Sequence, residues 1–311
     1  MLKIDLQTCT GCKNCERVCP FGAIIVVDEK AQVQDNCTLC GACINVCPHD
    51  SLSIDRPQPS KEELTQYKGV FVFAELESSG KNVKRVVLEL LAKGRELADK
   101  LEQELVAVLL GRDINVIGST LIAHGADRVI CAQHELLENY ATESYTNVIT
   151  AVITQFKPSI LLLGATINGR DLGPRIAARL RLGLTADCTG LDIDDEQQLV
   201  QTRPAFGGNI MASIISPYTR PQMATVRPNT FSALLADSKK EGIIEDFQVN
   251  ISKRAIRTKI IEAAEILDEE GMCIEEADII VSVGRGIQSK ENLTIAQELA
   301  FALNGIMASS R

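Results

Sequence analysis

The sequence lacks three features that would place the chain in a membrane, on nucleic acid or outside the cell. No hydrophobic run approaches the roughly 18 residues that a membrane-spanning helix requires, so no membrane span is predicted. Basic residues are not in excess. There are 32 Lys and Arg against 41 Asp and Glu, a net charge of −9, which argues against nucleic acid as a partner. No charged-then-apolar leader precedes the first cysteine, so the chain is predicted to be cytoplasmic.

Histidine is also scarce, whereas cysteine is plentiful. The three histidines do not stand at metal-ligand spacing and are predicted to be surface or turn residues: His49, His124 and His134. Of the 11 cysteines, three stand alone in strand-like or charged contexts, where buried structural thiols are expected: Cys131, Cys188 and Cys273.

The other eight cysteines form two runs of the pattern Cys-x2-Cys-x2-Cys-x3-Cys-Pro, and each residue of the second run follows its counterpart by 28 positions. In this pattern three cysteines hold one 4Fe–4S cluster, and the fourth ligates the other cluster. The predicted ligand sets are therefore Cys9, Cys12 and Cys15 with Cys47, and Cys37, Cys40 and Cys43 with Cys19.

Two other roles for these cysteines remain open. Zinc sites also use Cys-x-x-Cys pairs, but they separate the pairs by a longer loop and do not use a third cysteine at this spacing. Disulfides form in oxidising compartments, of which the sequence gives no sign. We therefore favour a bacterial-type ferredoxin domain at residues 1–56, which carries two 4Fe–4S clusters and transfers single electrons.

Few apolar residues surround the two cysteine runs. They are predicted to form short strands that cover the clusters: Ile4, Leu6, Ile24, Ile25, Val26, Val27, Leu52 and Ile54. A core this small leaves much of the folding free energy to the metal.

Beyond this domain the pattern is α/β. Residues 57–67 are polar, contain two prolines and are predicted to be a linker. In residues 68–258, short apolar strands alternate with helices, which predicts a Rossmann-like α/β domain whose parallel sheet is covered on both faces. Strands are expected at residues 70–74, 105–110, 128–131 and 160–163, and helices near residues 82–101, 115–124, 145–156 and 174–182.

The last part of the chain has two further patterns. From residue 187 to about residue 250, short strands and turns predict an extension or antiparallel edge of the same domain. Residues 259–311 begin with a charged segment and continue as a strand, the turn Gly284-Arg285-Gly286, a helix and an incipient strand. This order predicts the first βαβ part of a second Rossmann-like domain.

Seven sequence blocks between Gly69 and Arg311 resemble, in order, those of the electron transfer flavoprotein alpha subunit. They are residues 161–166, 169–172, 174–180, 183–187, 203–209, 220–228 and 281–286. The resemblance implies FAD on the C-terminal domain and a beta subunit as partner. With its ferredoxin domain, the chain is similar to forms that couple NADH, ferredoxin and an acyl-CoA or lactate dehydrogenase by flavin-based electron bifurcation.

By resemblance, Arg285 would lie against the flavin ring, and Ser310 and Arg311 would begin the next FAD-contacting segment. A fixed guanidinium there would stabilise negative charge on the reduced flavin. The family continues past this Ser-Arg pair with further FAD-binding segments, so the resemblance implies a chain truncated within its FAD-binding domain. Two functions follow: an electron carrier, or an interaction fragment that binds the beta subunit but lacks a working flavin site.

Residues 168–174 follow a strand and precede a helix, as a phosphate-binding turn would. They lack the full spacing of either nucleotide motif, and Asp171 would repel a phosphate. We therefore predict a structural turn with the ion pairs Arg170–Asp171 and Arg175–Asp187, and a nucleotide-dependent enzyme is the less favoured alternative.

Overall fold

The computed structural model describes residues 2–37, 39–54, 59–77, 79–251, 256–258, 261, 274 and 277–309. The chain divides into two units, residues 1–60 and residues 61–311. Within the described ranges, no helix combines the length and apolar character needed to cross a bilayer.

The first unit is built from two small antiparallel strand pairs and a short helix, α1 (Asn14–Val18). Strand β1 (Leu2–Ile4) pairs with β4 (Leu52–Ile54), and β2 (Ile24–Val27) pairs with β3 (Lys30–Val33). Its buried apolar residues are few: Leu2, Cys15, Ala23, Ile24, Ala31, Cys43 and Leu52. The predicted strands are confirmed except at Leu6, which is 54% exposed and lies outside them.

The second unit is built around a seven-stranded sheet. After α2 (Lys61–Leu64), its helices are α3 (Arg85–Leu101), α4 (Asn115–Ala123), α5 (Thr142–Phe156) and α6 (Ile167–Leu180). Its strands are β5 (Val70–Ala74), β6 (Leu105–Gly111), β7 (Arg128–Gln133), β8 (Ile160–Gly164), β9 (Leu184–Cys188), β13 (Gln222–Val226) and β14 (Ile243–Asp246), in the spatial order β14-β7-β6-β5-β8-β13-β9. Every pairing in this sheet is parallel.

Both faces of the large sheet are covered, as the continuously apolar strands predict. Successive residues of β5 alternate between two hydrophobic clusters: Val70 and Val72 join α3 and α4 in one, and Phe71 and Phe73 join α5 and α6 in the other. The predicted parallel sheet with helices on both faces is therefore confirmed. Cys131 and Cys188 are buried within it, as expected for structural thiols, and Cys273 lies outside the described residues.

The region from residue 187 to about residue 250 differs partly from the prediction. Strands β10 (Gly190–Ile193), β11 (Leu199–Ala205) and β12 (Ile210–Ile214) form an antiparallel sheet, as expected. However, β13 inserts between β8 and β9, and β14 adds to the opposite edge beside β7, so both extend the parallel sheet.

The predicted turn at residues 168–174 is wrong, because α6 begins at Ile167 and includes these residues. Thr166 caps the helix by accepting a hydrogen bond from the Gly169 N–H at 3.0 Å. Glycine is needed at position 169, since a Cβ there would lie 1.9 Å from the Gly164 carbonyl oxygen. At Gly173 a Cβ would lie 3.1 Å from Thr225, so this glycine also permits close packing of the helix on the sheet.

The two predicted ion pairs are also wrong. Arg170 pairs with Asp187 at 2.9 Å, and Asp171 accepts hydrogen bonds from Tyr140 and Thr142. Adjacent residues on a helix point in different directions, so Arg170 and Asp171 do not face one another.

The described end of the chain contains a parallel strand pair, β15 (Ile280–Val283) and β16 (Ile306–Ser309), with α7 (Leu293–Ala302) between them in sequence. A 3-10 turn at Arg285–Ile287 follows β15. This is the predicted βαβ order.

Glu89 holds the loop that follows β13. It lies on α3, is 2% exposed, and its carboxylate accepts backbone N–H bonds from Asn229, Thr230 and Phe231 at 3.1 to 3.3 Å. Glu89→Ala would leave these three donors without the carboxylate. We expect a loss of about 2–3 kcal/mol in the free energy of unfolding of this unit, measured by urea denaturation.

The matched control is Glu96→Ala on the same helix. Glu96 is exposed and pairs with Lys93, so its loss is expected to cost less than about 0.5 kcal/mol. Equal urea midpoints for the two variants would contradict the role assigned to Glu89.

Candidate functional site

Four of the eight cysteines line one cavity in the first unit, which we call cavity I. They are Cys9, Cys12, Cys15 and Cys47. Three belong to the first cysteine run, and Cys47 comes from the end of the second. Cavity I thus brings together the residues of one predicted ligand set.

The other four cysteines line a second cavity, cavity II. They are Cys37, Cys40, Cys43 and Cys19. Here too the fourth cysteine comes from the opposite run. All eight cysteines are free thiols, and the structure sorts them crosswise into two groups of four.

The loops around the two cavities repeat each other in backbone conformation. The left-handed φ angles of Gly11 (68°) and Lys13 (62°) recur 28 residues later at Leu39 (57°) and Gly41 (81°). A Cβ at Gly11 would lie 2.5 Å from the Glu29 carbonyl oxygen, so close approach of the β2–β3 turn requires glycine there. These turns place three cysteines of each run around one cavity.

Backbone N–H groups support the fourth cysteine of each group. Ala23 donates to Cys19 Sγ at 3.2 Å, and Ser51 donates to Cys47 Sγ at 3.3 Å. Burial alone would raise the pKa of Cys47, but hydrogen bonds from the His49 and Ser51 backbones outweigh it, and the pKa lies below its ordinary value. These donors favour a thiolate at the position where a metal ligand is predicted.

Cys15 and Cys43 are the buried thiols of the two groups, and burial raises the pKa of each. A thiolate in such surroundings needs a positive charge beside it, which a bound metal supplies. The chemistry of the donor set, four thiols around each cavity with sulfur-directed N–H bonds, therefore fits an iron-sulfur cluster.

Single-ion sites fit this arrangement less well. Within the described ranges, no group of three or more His, Cys, Asp or Glu side chains is spaced to hold one metal ion. A zinc ion draws its thiolates close together, with Zn–S distances of about 2.3 Å, whereas a cubane separates them by its own width.

Several other residues line the cavities, and the sequence analysis assigned none of them a role there; His49 was predicted only as a surface or turn residue, and it is exposed in a turn. Lys13 and His49 line cavity I, and Phe21 and Leu39 line cavity II. The 28-residue repeat contains a signal for them, because aligning the two runs pairs Lys13 with glycine and His49 with phenylalanine.

Arg285 lies at the carboxyl end of β15, where it is exposed. The register pairs Val283 with Ser309, so the carboxyl ends of β15 and β16 share one edge. Ser310 and Arg311 follow β16 in sequence but lie outside the described residues. A Cβ at either glycine beside Arg285 would meet nothing within 4 Å, so the turn is open to a ligand. A cation at this edge fits part of a dinucleotide site.

The matching edge of the large sheet holds a carboxylate. Glu75 follows β5, is 4% exposed, and accepts hydrogen bonds from Thr166 and Asn168 at the start of α6. Lys84 also pairs with Glu75 at 3.0 Å. A carboxylate in this position takes the donors that a phosphate would use, which argues against a nucleotide on residues 168–174.

Comparison with known proteins gives three matching family descriptions. An electron transfer flavoprotein domain matches residues 70–252, a 4Fe-4S dicluster domain matches residues 1–48, and an electron transfer flavoprotein FAD-binding domain matches residues 273–311.

Individual relatives are similar over most of the chain. Electron transfer flavoprotein subunit alpha of Clostridium acetobutylicum is 48% identical over 79% of this chain and 73% of its own length. Acryloyl-CoA reductase electron transfer subunit beta of Anaerotignum propionicum is 39% identical, over 80% and 75%. Lactate dehydrogenase (NAD(+),ferredoxin) subunit LctC of Acetobacterium woodii is 35% identical, over 94% and 69%.

Proposed function

Because this chain belongs to the family of electron transfer flavoprotein alpha subunits, we propose that it passes single electrons between two 4Fe–4S clusters, FAD and a partner dehydrogenase. The observation that carries this proposal is the crosswise sorting of eight cysteines into two cavities. That arrangement suits two clusters in one small domain, and the FAD-binding match at residues 273–311 supports a flavin as a further centre.

The ligand assignments follow from the cavities. Cys9, Cys12, Cys15 and Cys47 would hold one cluster, and Cys37, Cys40, Cys43 and Cys19 the other. When bound, each cluster gains or loses one electron, and FAD links such steps to two-electron chemistry. The protein's own contribution is to bind and orient: backbone N–H groups donate to the fourth cysteines, and the two antiparallel strand pairs would cover the clusters.

Arg285 would bind the flavin from the carboxyl edge of β15, together with Ser310 and Arg311. A guanidinium stays charged throughout the working pH range, so it would favour added negative charge on the ring. No acid, base or nucleophile is assigned, because electron transfer depends on distance and potential.

The partners we propose are an electron transfer flavoprotein beta subunit and a flavin-dependent dehydrogenase. The names of two relatives, an acryloyl-CoA reductase subunit and a lactate dehydrogenase (NAD(+),ferredoxin) subunit, support an acyl-CoA or lactate type. A ferredoxin domain beside a flavin domain also suits electron bifurcation, in which one donor feeds two acceptors of different potential.

A second candidate is an interaction fragment that binds the beta subunit through the large α/β domain and has no working flavin site. Of the three predicted FAD residues, the described part of the chain includes Arg285 alone.

One experiment on the complex with the beta subunit separates these functions. We expect anaerobically purified complex to contain about eight irons per chain, a visible absorbance that dithionite bleaches, and FAD released on denaturation. Zinc in place of iron would contradict the electron carrier. Iron-loaded, tightly associated but FAD-free complex would support the interaction fragment.

A further inference from the structure

The loops around the two cavities share a backbone conformation, but the residues that line the cavities differ. Three positions that line both differ in polarity across the 28-residue repeat. Cavity I has Lys13, His49 and Ser51 where cavity II has Gly41, Phe21 and Ala23. At these three positions cavity I has a lysine, a histidine and a serine, whereas cavity II has a glycine, a phenylalanine and an alanine.

Lys13 stands in a conformation that favours glycine. Its φ is 62°, and its counterpart Gly41 has φ 81° in the same left-handed region. At both positions glycine would adopt this backbone conformation at a lower conformational cost than lysine. Lys13, which lines cavity I beside Cys12, thus distinguishes the first loop from the second.

A second cation is fixed beside cavity I. The Lys30 ammonium donates to the carbonyl oxygens of Cys9 at 2.7 Å and Leu6 at 2.8 Å, on the loop that enters the first cysteine run. Among the described carboxylates near cavity I, Asp5 faces Lys30, Asp50 acts on Cys47 and Glu16 follows Cys15 in α1, but none of these three lines the cavity.

From this asymmetry we propose that the cluster in cavity I has the higher reduction potential, so that a single electron shared between the two clusters resides there. This rests on the proposed function, because it requires a cluster in each cavity. A cluster gains negative charge when it is reduced. Cations and hydroxyl dipoles stabilise that charge, whereas glycine and apolar side chains do not. The electron comes from a one-electron donor, and the cluster in cavity II is reduced second.

The test exchanges the lysine and glycine between the loops of the full chain. Lys13→Gly, Gly41→Lys and the double exchange are titrated anaerobically with dithionite and followed by electron paramagnetic resonance. All variants are titrated at the same pH. Cys12→Ser and Cys40→Ser each alter the spectrum of one cluster and so identify the signals.

We expect two separate reduction steps in the unaltered chain, the first belonging to cavity I. Lys13→Gly should lower the reduced-to-oxidised ratio of that cluster about fivefold at fixed potential and leave the other unchanged. Gly41→Lys should raise the reduced-to-oxidised ratio of the cavity II cluster at fixed potential. The double exchange should narrow the gap between the two reduction potentials or reverse their order. Arg17→Gln, which removes an exposed charge that lines neither cavity, should shift neither step.

Coincident steps in the unaltered chain, or a Lys13→Gly effect on the cavity II cluster, would overturn the proposal. Iron analysis distinguishes failure of this proposal from failure of the proposed function. A chain without iron contradicts the proposed function, whereas an iron-loaded chain with coincident reduction steps contradicts only this proposal. If Gly41→Lys does not fold, Lys13→Gly still decides, because glycine suits a φ of 62°.

Discussion

Removing iron is expected to unfold the first unit and leave the second intact. Apart from cysteines, the buried apolar residues in the described part of the first unit are five: Leu2, Ala23, Ile24, Ala31 and Leu52. Its strands form isolated pairs, which are marginally stable alone. Cluster binding must therefore supply most of the folding free energy, on the order of 10 kcal/mol by analogy with structural zinc sites.

Hydrogen exchange measured by mass spectrometry tests this expectation on the full chain after anaerobic oxidation and chelation. Amides of β1 and β4 should exchange at rates near those of an unfolded chain. Amides of β5 and β6, at the centre of the large sheet, serve as an internal control and should keep their protection. Protected β1 and β4 amides in iron-free protein would show that the fold stands without metal.

The large sheet was predictable because its strands carry one unambiguous signal. Val70–Ala74 and Ile160–Gly164 are short, apolar at nearly every position and buried throughout, which is the pattern of parallel strands covered on both faces. The start of α6 was not predictable in the same way. Gly169 and Gly173 are turn signals in sequence, but here they permit close packing of a helix against β8 and β13.

Other misses follow from information that no short stretch contains. Strand β3 includes Lys30 and Gln32 and lacks an apolar run, so its pairing with β2 decides its structure. Strand β13 is recognisable as a strand, but its place between β8 and β9 depends on contacts more than 30 residues away in sequence.

For the candidate site, spacing alone predicted the two groups of cysteines, and the cavities assemble the same groups. Spacing did not predict which other residues line the two cavities. Lys13 and His49 look like ordinary polar residues until the two loops are superposed on the 28-residue repeat. Their chemical effect depends on which cavity they face, and that is a property of the fold.

The crosswise grouping makes a second prediction with a large effect. Cys47→Ser is expected to labilise the cluster of the first run, although Cys47 belongs to the second run in sequence. The reason is that Cys47 lines cavity I with Cys9, Cys12 and Cys15, and its sulfur receives the Ser51 N–H there. Replacing one of four thiolates weakens that cluster while the other keeps all its ligands.

Timed alkylation of the anaerobic protein, mapped by mass spectrometry, identifies the cluster that is lost. In Cys47→Ser, the thiols of Cys9, Cys12 and Cys15 should react first, as iron falls from about eight toward about four per chain. The reciprocal variant Cys19→Ser is the matched control, and it should expose Cys37, Cys40 and Cys43 instead. If each serine variant exposed the cysteines of its own run, each run would hold its own cluster, and the crosswise ligand sets would be wrong.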